Sequence, residues 1–174
     1  MAFISISITK NHPLILGKGG FGRQLADWLS AEGWGEAEFL DDSAPGCVGG
    51  LRDYADPKLL KPGRPAFVAL GDNALRVELL QKLAAAGYDT PVFISDMAAV
   101  SPSAVLEPGC VILPQAYVGA DAHLGVGCII NGGAIVDHDA VLGRGVHVAP
   151  GGIVKAGAEV EALTKVDSGE LIKK

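Results

Sequence analysis

Aromatic residues, cysteines and histidines are scarce in this chain, and long apolar runs are missing. Only 6% of its 174 residues are aromatic, whereas glycine occurs 24 times, about twice the usual share. This composition favours tight, repeated backbone turns. Because no run of about 18 apolar residues occurs, we expect no transmembrane helix and no membrane partner. Residues 3–9 alternate apolar and polar types without a basic leader, which predicts an edge strand or a loose arm and not a signal peptide.

The charge balance and the cysteine count exclude further classes. The chain has 14 basic and 20 acidic residues and a net charge of −6, so a broad nucleic-acid footprint is not expected. Its three cysteines, Cys47, Cys110 and Cys128, have no metal-ligand spacing. We therefore predict no disulfide framework, no metal and a reducing, cytoplasmic location.

The second half of the chain is a six-residue repeat. Ten consecutive hexads run from Ala104 to Leu163, with Leu, Ile or Val at every third position and Ala, Cys, Gly or Val at every first position. Side-chain alternation directs both positions inward, and three hexads close a triangular coil of about 18 residues. The pattern predicts a left-handed parallel β-helix. Cys110 and Cys128 should stack in its core, either as small hydrophobic residues or as a redox pair.

The first half is predicted to be a Rossmann-like α/β domain over residues 1–95, before a β-helix domain over 96–174. Four short strands are expected at 13–16, 36–40, 66–70 and 91–94, with helices after the first and third. The first strand leads into a G-x-G-x-x-G loop that contains Gly17, Gly19 and Gly20. Such a loop at a helix N-terminus suits a phosphate, although the glycines could serve only close helix–strand packing.

Polar residues follow the next two strands. Asp41 and Asp42 lie about 20 residues past the glycines, where a ribose hydroxyl would be met, or they have only turn duties. Asp72 and Asn73 could cap the second helix and also meet a ligand. An NAD-dependent dehydrogenase fits poorly, because only about 95 residues precede the repeat and a β-helix supplies no hydride chemistry.

His138 is the strongest candidate for catalysis. It stands between Asp137 and Asp139 at a predicted corner, where a carboxylate can hold the imidazole in one tautomer and make it a better base. His147 occupies a second hexad position and should point outward. We expect His138 and His147 on successive sides of the coil, where a neighbouring subunit would pack.

Taken together, these motifs resemble those of bacterial sugar acyltransferases of the sialic-acid O-acetyltransferase and UDP-4-amino-sugar N-acetyltransferase type. The resemblance covers residues 12–157 and depends on the glycine loop, the Asp41–Asp42 pair, Gly71-Asp72-Asn73, and the hexads that carry Asn131, His138 and His147. It implies a homotrimer that takes acetyl-CoA as donor and a nucleotide-linked sugar as acceptor, in surface-glycan synthesis.

The resemblance also implies a role for individual residues. His138 would be the general base and Asp139 its orienting acid. His147 would be a second active-site histidine that serves the coenzyme, and a backbone N–H near Ala156 or Gly157 would stabilise the oxyanion of the coenzyme's thioester. The implied nucleotide-sugar contacts are Gly17, Gly19, Gly20, Asp41, Asp42, Asn73 and Asn131.

Two features depart from the family pattern. Phe21 occupies a loop position where related sequences often have histidine, and the hexads are expected to stop near Leu163, which would remove the coils that normally cap the helix and embrace the coenzyme. Two alternatives to a transferase follow. One is a nucleotide-sugar-binding trimer that lacks transferase activity because these coils are missing, and the other is a purely structural hexapeptide trimer.

Overall fold

The computed structural model describes residues 12–173. The strand or arm predicted for residues 3–9 lies outside this range. The chain forms a small α/β unit followed by a parallel β-solenoid. No helix within residues 12–173 combines the length and apolarity that crossing a membrane requires.

The α/β unit is a three-stranded parallel sheet with one helix after its first strand and one after its third. The sheet order is β2-β1-β3, from β1 (Leu14–Leu16), β2 (Glu38–Leu40) and β3 (Ala66–Val68). Helix α1 (Gly20–Ala31) buries its Leu25 and Leu29, which lie one turn apart. Helix α2 (Asn73–Ala85) begins after Asp72, whose carboxylate accepts a hydrogen bond from the N–H of Leu75 at 2.9 Å. A short 3₁₀ helix (Asp53–Ala55) precedes β3.

The fourth strand predicted for this unit belongs to the solenoid. Strand β4 (Phe93–Ile94) pairs with β7 (Val111–Ile112) of the solenoid, and the N–H of Phe93 donates to the carbonyl of Cys110 at 2.9 Å. The segment therefore opens the repeat before residue 96, since Val92 and Ile94 occupy the first and third positions of an additional hexad. Only a single bridge, between Pro65 and Asp89, extends the α/β sheet beyond β3.

The solenoid has three faces, which are parallel sheets of five, five and four two-residue strands. We call the sheet of β4, β7, β10, β13 and β16 the first face, that of β5, β8, β11, β14 and β17 the second, and that of β6, β9, β12 and β15 the third. In chain order, strands β4 to β17 are Phe93–Ile94, Ala99–Val100, Val105–Leu106, Val111–Ile112, Tyr117–Val118, His123–Leu124, Ile129–Ile130, Ile135–Val136, Val141–Leu142, His147–Val148, Ile153–Val154, Glu159–Val160, Lys165–Val166 and Leu171–Ile172.

The predicted inward positions form the core of the solenoid. Third-position residues such as Ile112, Ile130 and Val148 are fully buried and stack one turn apart, as do the small first-position residues Cys110 and Cys128. Both cysteines are free, and each thiol points at a backbone carbonyl of its own coil. This environment fits the interpretation of both as small hydrophobic residues.

The repeat continues past Leu163, contrary to the expectation that it stops there. Strand β16 (Lys165–Val166) pairs with β13, β17 (Leu171–Ile172) pairs with β14, and Val166 is completely buried. The sequence pattern is hidden because Thr164 and Glu170 occupy first positions that are otherwise small and apolar. The aliphatic third position is nevertheless kept in both hexads.

The α/β unit packs on the first face of the solenoid. The outward side chains of Phe93, Val111 and Ile129 join Ile15 and Phe67 in one buried cluster. Helix α2 lies along the corner between the third and first faces, where Leu80 leaves no space for a Cβ on Gly109 or Gly127. The outward residues of the other two faces stay exposed; among them are Tyr117, Ile135 and Leu171 on the second face and Val105 and Val141 on the third.

Candidate active site

His138 stands at the corner between the second and third faces, directly after β11. Its Nδ1 lies 2.7 Å from Oδ2 of Asp139, and its backbone N–H donates to Oδ1 of Asp137 at 2.8 Å. Asp139 has φ +59, which places a non-glycine residue in the left-handed region and turns its carboxylate back to the ring. Gly119, one turn below, makes room for this corner, because a Cβ there would be 2.5 Å from the nitrogen of His138.

This arrangement makes His138 a stronger base than an isolated histidine. The hydrogen bond that His138 donates to the Asp139 carboxylate, and then the charge of Asp137, raise the pKa of His138. Since Nδ1–H donates to the carboxylate, the lone pair of Nε2 is directed away from the pair. The His138 side chain is 58% exposed, so a substrate can reach Nε2.

Ala156 and Gly157 lie one turn above His138 and Asp139. The N–H of Gly157 donates to the carbonyl of His138 at 3.0 Å and is therefore already used within the corner. The N–H of Ala156 meets no acceptor within residues 12–173. Of the two predicted oxyanion donors, Ala156 is therefore the one whose backbone N–H is not already used.

His147 lies on the first face, beside the end of the α/β unit. The whole third face separates it from the His138 corner, so the two histidines do not meet within one chain. The side-chain amide of Asn131 is 3.4 Å from Nε2 of His147, while Nδ1 of His147 is buried without a hydrogen-bond partner among the described residues. Burial, followed by the charges of Arg76 and Lys165, lowers the pKa of His147 to about 4, so this ring is neutral at pH 7.

The glycines of the loop divide between the two roles that the sequence allows, close helix–strand packing and phosphate binding. Gly17 has φ +98 and a Cβ there would be 2.8 Å from the carbonyl of Ala69, while a Cβ on Gly22 would be 1.9 Å from the carbonyl of Gly17. These two glycines serve close packing. Gly19 and Gly20 have nothing within 4 Å of a Cβ position, and α1 begins there without a side-chain cap or an acidic first turn. Its first N–H groups are thus open to a ligand.

Asp41 and Asp42 organise the loop that follows β2. Asp41 accepts hydrogen bonds from the N–H groups of Lys18, Ser43 and Ala44 at 2.7, 2.9 and 2.9 Å. These bonds, that of Lys18 first, lower the pKa of Asp41 to about 2. Asp42 accepts from the N–H of Leu51 at 2.8 Å. Both acids perform the predicted turn duties, and their contact with a ribose stays a prediction.

Asn73 ties the first turn of α2 to the solenoid. Its amide Nδ2 donates to the carbonyl of Leu163 at 2.8 Å, and its Oδ1 is buried without a partner among the described residues. The sequence analysis missed Arg76, three residues further along the helix and 1% exposed. A single arginine among the apolar residues of a short helix was the available signal.

The described residues therefore form three separate groups: the His138–Asp139 corner, the Asn131–His147 pair with Asn73 nearby, and the glycine loop with Asp41. Within residues 12–173, no set of three or more His, Cys, Asp or Glu side chains is arranged to hold a metal ion. The first group offers a base and an amide donor, which is the equipment for acyl transfer. The glycine-loop group offers an open helix N-terminus, and the Asn131–His147 group offers polar side chains beside the capped start of α2.

The chain is similar to several known proteins. The PglD N-terminal domain family matches residues 14–83. The acetyltransferase domain of PglB from Neisseria gonorrhoeae is 33% identical with a TM-score of 0.77, over 93% of this chain and 87% of that one; a second structure of it contains acetyl coenzyme A. A variant of perosamine N-acetyltransferase from Caulobacter crescentus, in complex with CoA and GDP-perosamine, is 27% identical with a TM-score of 0.74, over 94% and 89%.

The fold and the comparisons together define an acetyl-transferring enzyme built on a hexapeptide-repeat solenoid. The chain belongs to the hexapeptide-repeat sugar acetyltransferases.

Proposed function

We propose that this protein transfers the acetyl group of acetyl-CoA to an amino group of a nucleotide-linked sugar, with His138 as the general base. The observation that carries the proposal is the exposed His138–Asp139 pair, joined at 2.7 Å. The structures of similar proteins with acetyl coenzyme A and with CoA and GDP-perosamine support the two substrates. An amine acceptor is favoured over a hydroxyl because perosamine N-acetyltransferase is among these relatives.

Proton transfer follows from the geometry of the corner. Nε2 of His138 takes a proton from the acceptor amine as the nitrogen attacks the thioester carbonyl. Asp139 and Asp137 stabilise the imidazolium that forms, and the N–H of Ala156 is available to the developing oxyanion. When the C–S bond breaks, the imidazolium returns the proton to the CoA thiolate. A positioned base contributes roughly 10²–10⁴-fold to such a step.

We assign the nucleotide-sugar to the α/β unit, as a Rossmann-like domain formed by residues 1–95 apart from β4. The open amides at Gly19 and Gly20 suit a phosphate, and Asp41, Asp42, Asn73 and Asn131 are its proposed polar contacts. Acetyl transfer belongs to residues 96–174, which we take to be a left-handed β-helix. Cys47, Cys110 and Cys128 are free, which supports a reducing, cytoplasmic setting.

A homotrimer would complete the active site. The second face carries an apolar ladder in which Tyr117, Ile135 and Leu171 are exposed by 43%, 37% and 45%. His138 stands at the edge of this ladder, whereas His147 lies on the other side of the prism. Packing of this surface against a sister chain would bring the His138 corner of one subunit to the α/β unit of the next.

The alternative of an inactive binding module loses its premise. It required the coils to end at Leu163, but β16 and β17 continue the solenoid through Ile172. Calorimetry still separates the two functions, because a binding module would take the sugar nucleotide and not CoA.

The test is an acetylation assay with acetyl-CoA and a panel of UDP-, dTDP- and GDP-linked amino sugars. His138→Ala should lower kcat by two or more orders of magnitude. His123→Ala is the matched control, since His123 also lies on the solenoid but pairs with Glu107 on the third face. Equal kcat values for His138→Ala and the unsubstituted enzyme would remove the proposed mechanism.

A further inference from the structure

A single buried guanidinium connects the α/β unit to the solenoid. Arg76 is 1% exposed and forms no ion pair among the described residues. Instead it donates to three backbone carbonyls: Nη1 to Leu70 at 2.8 Å, Nε to Gly127 at 2.8 Å and Nη2 to Gly145 at 2.7 Å. Burial, its largest influence, lowers the pKa of Arg76 to about 10, so the group is charged at neutral pH.

The three carbonyls belong to different parts of the molecule. Leu70 follows β3 at the carboxyl end of the α/β sheet, where α/β folds bind their ligands. Gly127 and Gly145 are equivalent corner residues of successive solenoid turns, with φ +70 and +68. The planar guanidinium of this one arginine therefore fixes where the end of β3 lies against two successive turns of the solenoid.

Two polar atoms near this fork have no hydrogen-bond partner among the described residues. They are Oδ1 of Asn73 and Nδ1 of His147, both buried. Asn73 contacts the Gly145 corner, since a Cβ on Gly145 would be 3.2 Å from its carbonyl oxygen, and His147 follows two residues after that corner. Because the Asn131 amide donates to Nε2 of His147, Nδ1 carries the proton. One ligand hydroxyl can accept from Nδ1–H of His147, and another can donate to Oδ1 of Asn73.

We propose that Arg76 is a positioning residue for the nucleotide sugar: it holds the end of β3 and the start of α2 on the solenoid, so that Asn73 and His147 meet hydroxyl groups of one bound molecule. This assigns His147 to the sugar nucleotide, whereas the family resemblance implies a role toward the coenzyme. This inference rests on the proposed function. Without the rigid Arg76 contacts, the α/β unit and the solenoid could shift against each other. Both Asn73 and His147 would then lose their contacts with a ligand that spans the two units. The charged groups that face His147 are Arg76 from α2 and Lys165 from the next turn.

The variants are Arg76→Met and Arg76→Lys, with Arg64→Met as the matched control. Arg64 is also buried, at 6% exposure, but within residues 12–173 its guanidinium hydrogen-bonds only with the α/β unit, through His12, Leu59 and Glu38. Arg76→Lys keeps the positive charge and can still donate to some of the three carbonyls. It therefore tests the inference even if Arg76→Met does not fold.

Two readouts distinguish positioning from stability alone. The first is the KM for the nucleotide sugar, measured below the melting temperature of every variant. Both Arg76 variants should raise it at least tenfold with kcat changed less than twofold, whereas Arg64→Met should leave it unchanged. A KM that stays at the starting value in Arg76→Lys, or rises equally in Arg64→Met, would overturn the inference.

The second readout needs no catalytic activity and so separates this inference from the proposed function. The ring of His147 is titrated by NMR in the apo protein. Its pKa, which burial lowers first and the charges of Arg76 and Lys165 lower further, should rise in Arg76→Met but stay below 6.5, and it should remain low in Arg76→Lys and in Arg64→Met. An unmoved His147 pKa in folded Arg76→Met would show that the guanidinium does not control this site, whether or not the protein proves to be a transferase.

Discussion

A methyl group at position 119 should disable the His138 corner without altering any catalytic side chain. Gly119 does not have a left-handed φ, so alanine is allowed there and only space is changed. The added Cβ would lie 2.5 Å from the nitrogen of His138, 2.8 Å from the carbonyl carbon of Asp137 and 2.9 Å from the Cα of His138. All three atoms belong to backbone that cannot rotate away.

The required displacement can be worked out from these contacts. Ordinary van der Waals contact begins at 3.4 Å, so the nitrogen must retreat by 3.4 − 2.5, or about 0.9 Å. A misplacement of about 1 Å can lower the rate of a positioned reaction about 10²-fold. Overpacking of this kind costs about 1–3 kcal/mol of folding stability, which should leave most of the protein folded at 25 °C.

The assay is kcat from CoA release, measured below the melting temperature determined by calorimetry. Val118→Ala is the control, because Val118 adjoins Gly119 but points into the core and is completely buried. Its loss costs a comparable ~2 kcal/mol without moving His138. The reasoning is refuted if Gly119→Ala keeps full kcat, or if Val118→Ala loses as much kcat for the same loss of stability.

Three other substitutions have defined outcomes. Asp139→Asn removes the strongest influence that raises the His138 pKa, so the acidic limb of the pH profile of kcat/KM should move to lower pH; an unmoved limb would contradict the pairing. The pKa of Asp41 is about 2 when folded and 3.8 otherwise, so its stabilisation is present above pH 3.8 and lost as the pH falls through 2. Urea titrations of Asp41→Asn should lack this acid-dependent loss, and an identical pH dependence would count against it. Val166→Asp should cost about 3 kcal/mol or more by burying a carboxylate, and Asp167→Ser in the same turn should cost little; equal melting temperatures would argue against the added turn.

Local pattern was enough to predict the elements whose determinants lie close together in the chain. The hexads determine the three-faced core, and the proposed catalytic pair can be recognised in the sequence because His138 and Asp139 are neighbours. The glycine loop could be located but not divided by role, since only the structure shows that Gly17 faces the carbonyl of Ala69 while Gly19 faces open space.

Features that depend on how the two units pack could not be predicted. Outward residues of the first face, such as Val111 and Ile129, are as apolar as exposed residues of the second face, so the sequence does not show which face the α/β unit covers. His147 has the predicted outward position, but it lies beside the α/β unit of its own chain, and the third face separates it from His138. Contact of either histidine with a neighbouring subunit stays a prediction. Arg76 is missed for the same reason, since its partners are backbone carbonyls that any sequence would supply.

The three-sided winding restricts how the length of this chain can vary. Loss of six residues between Gly119 and His138 would rotate every later strand by one side, and the imidazole would then stand at the corner between the first and second faces. Loss of eighteen residues would remove one turn of the solenoid and leave each later side chain on its own face. Length changes within the solenoid that preserve activity should therefore come in multiples of eighteen residues. The two ends of the solenoid, by contrast, can be extended or trimmed without disturbing the His138 corner.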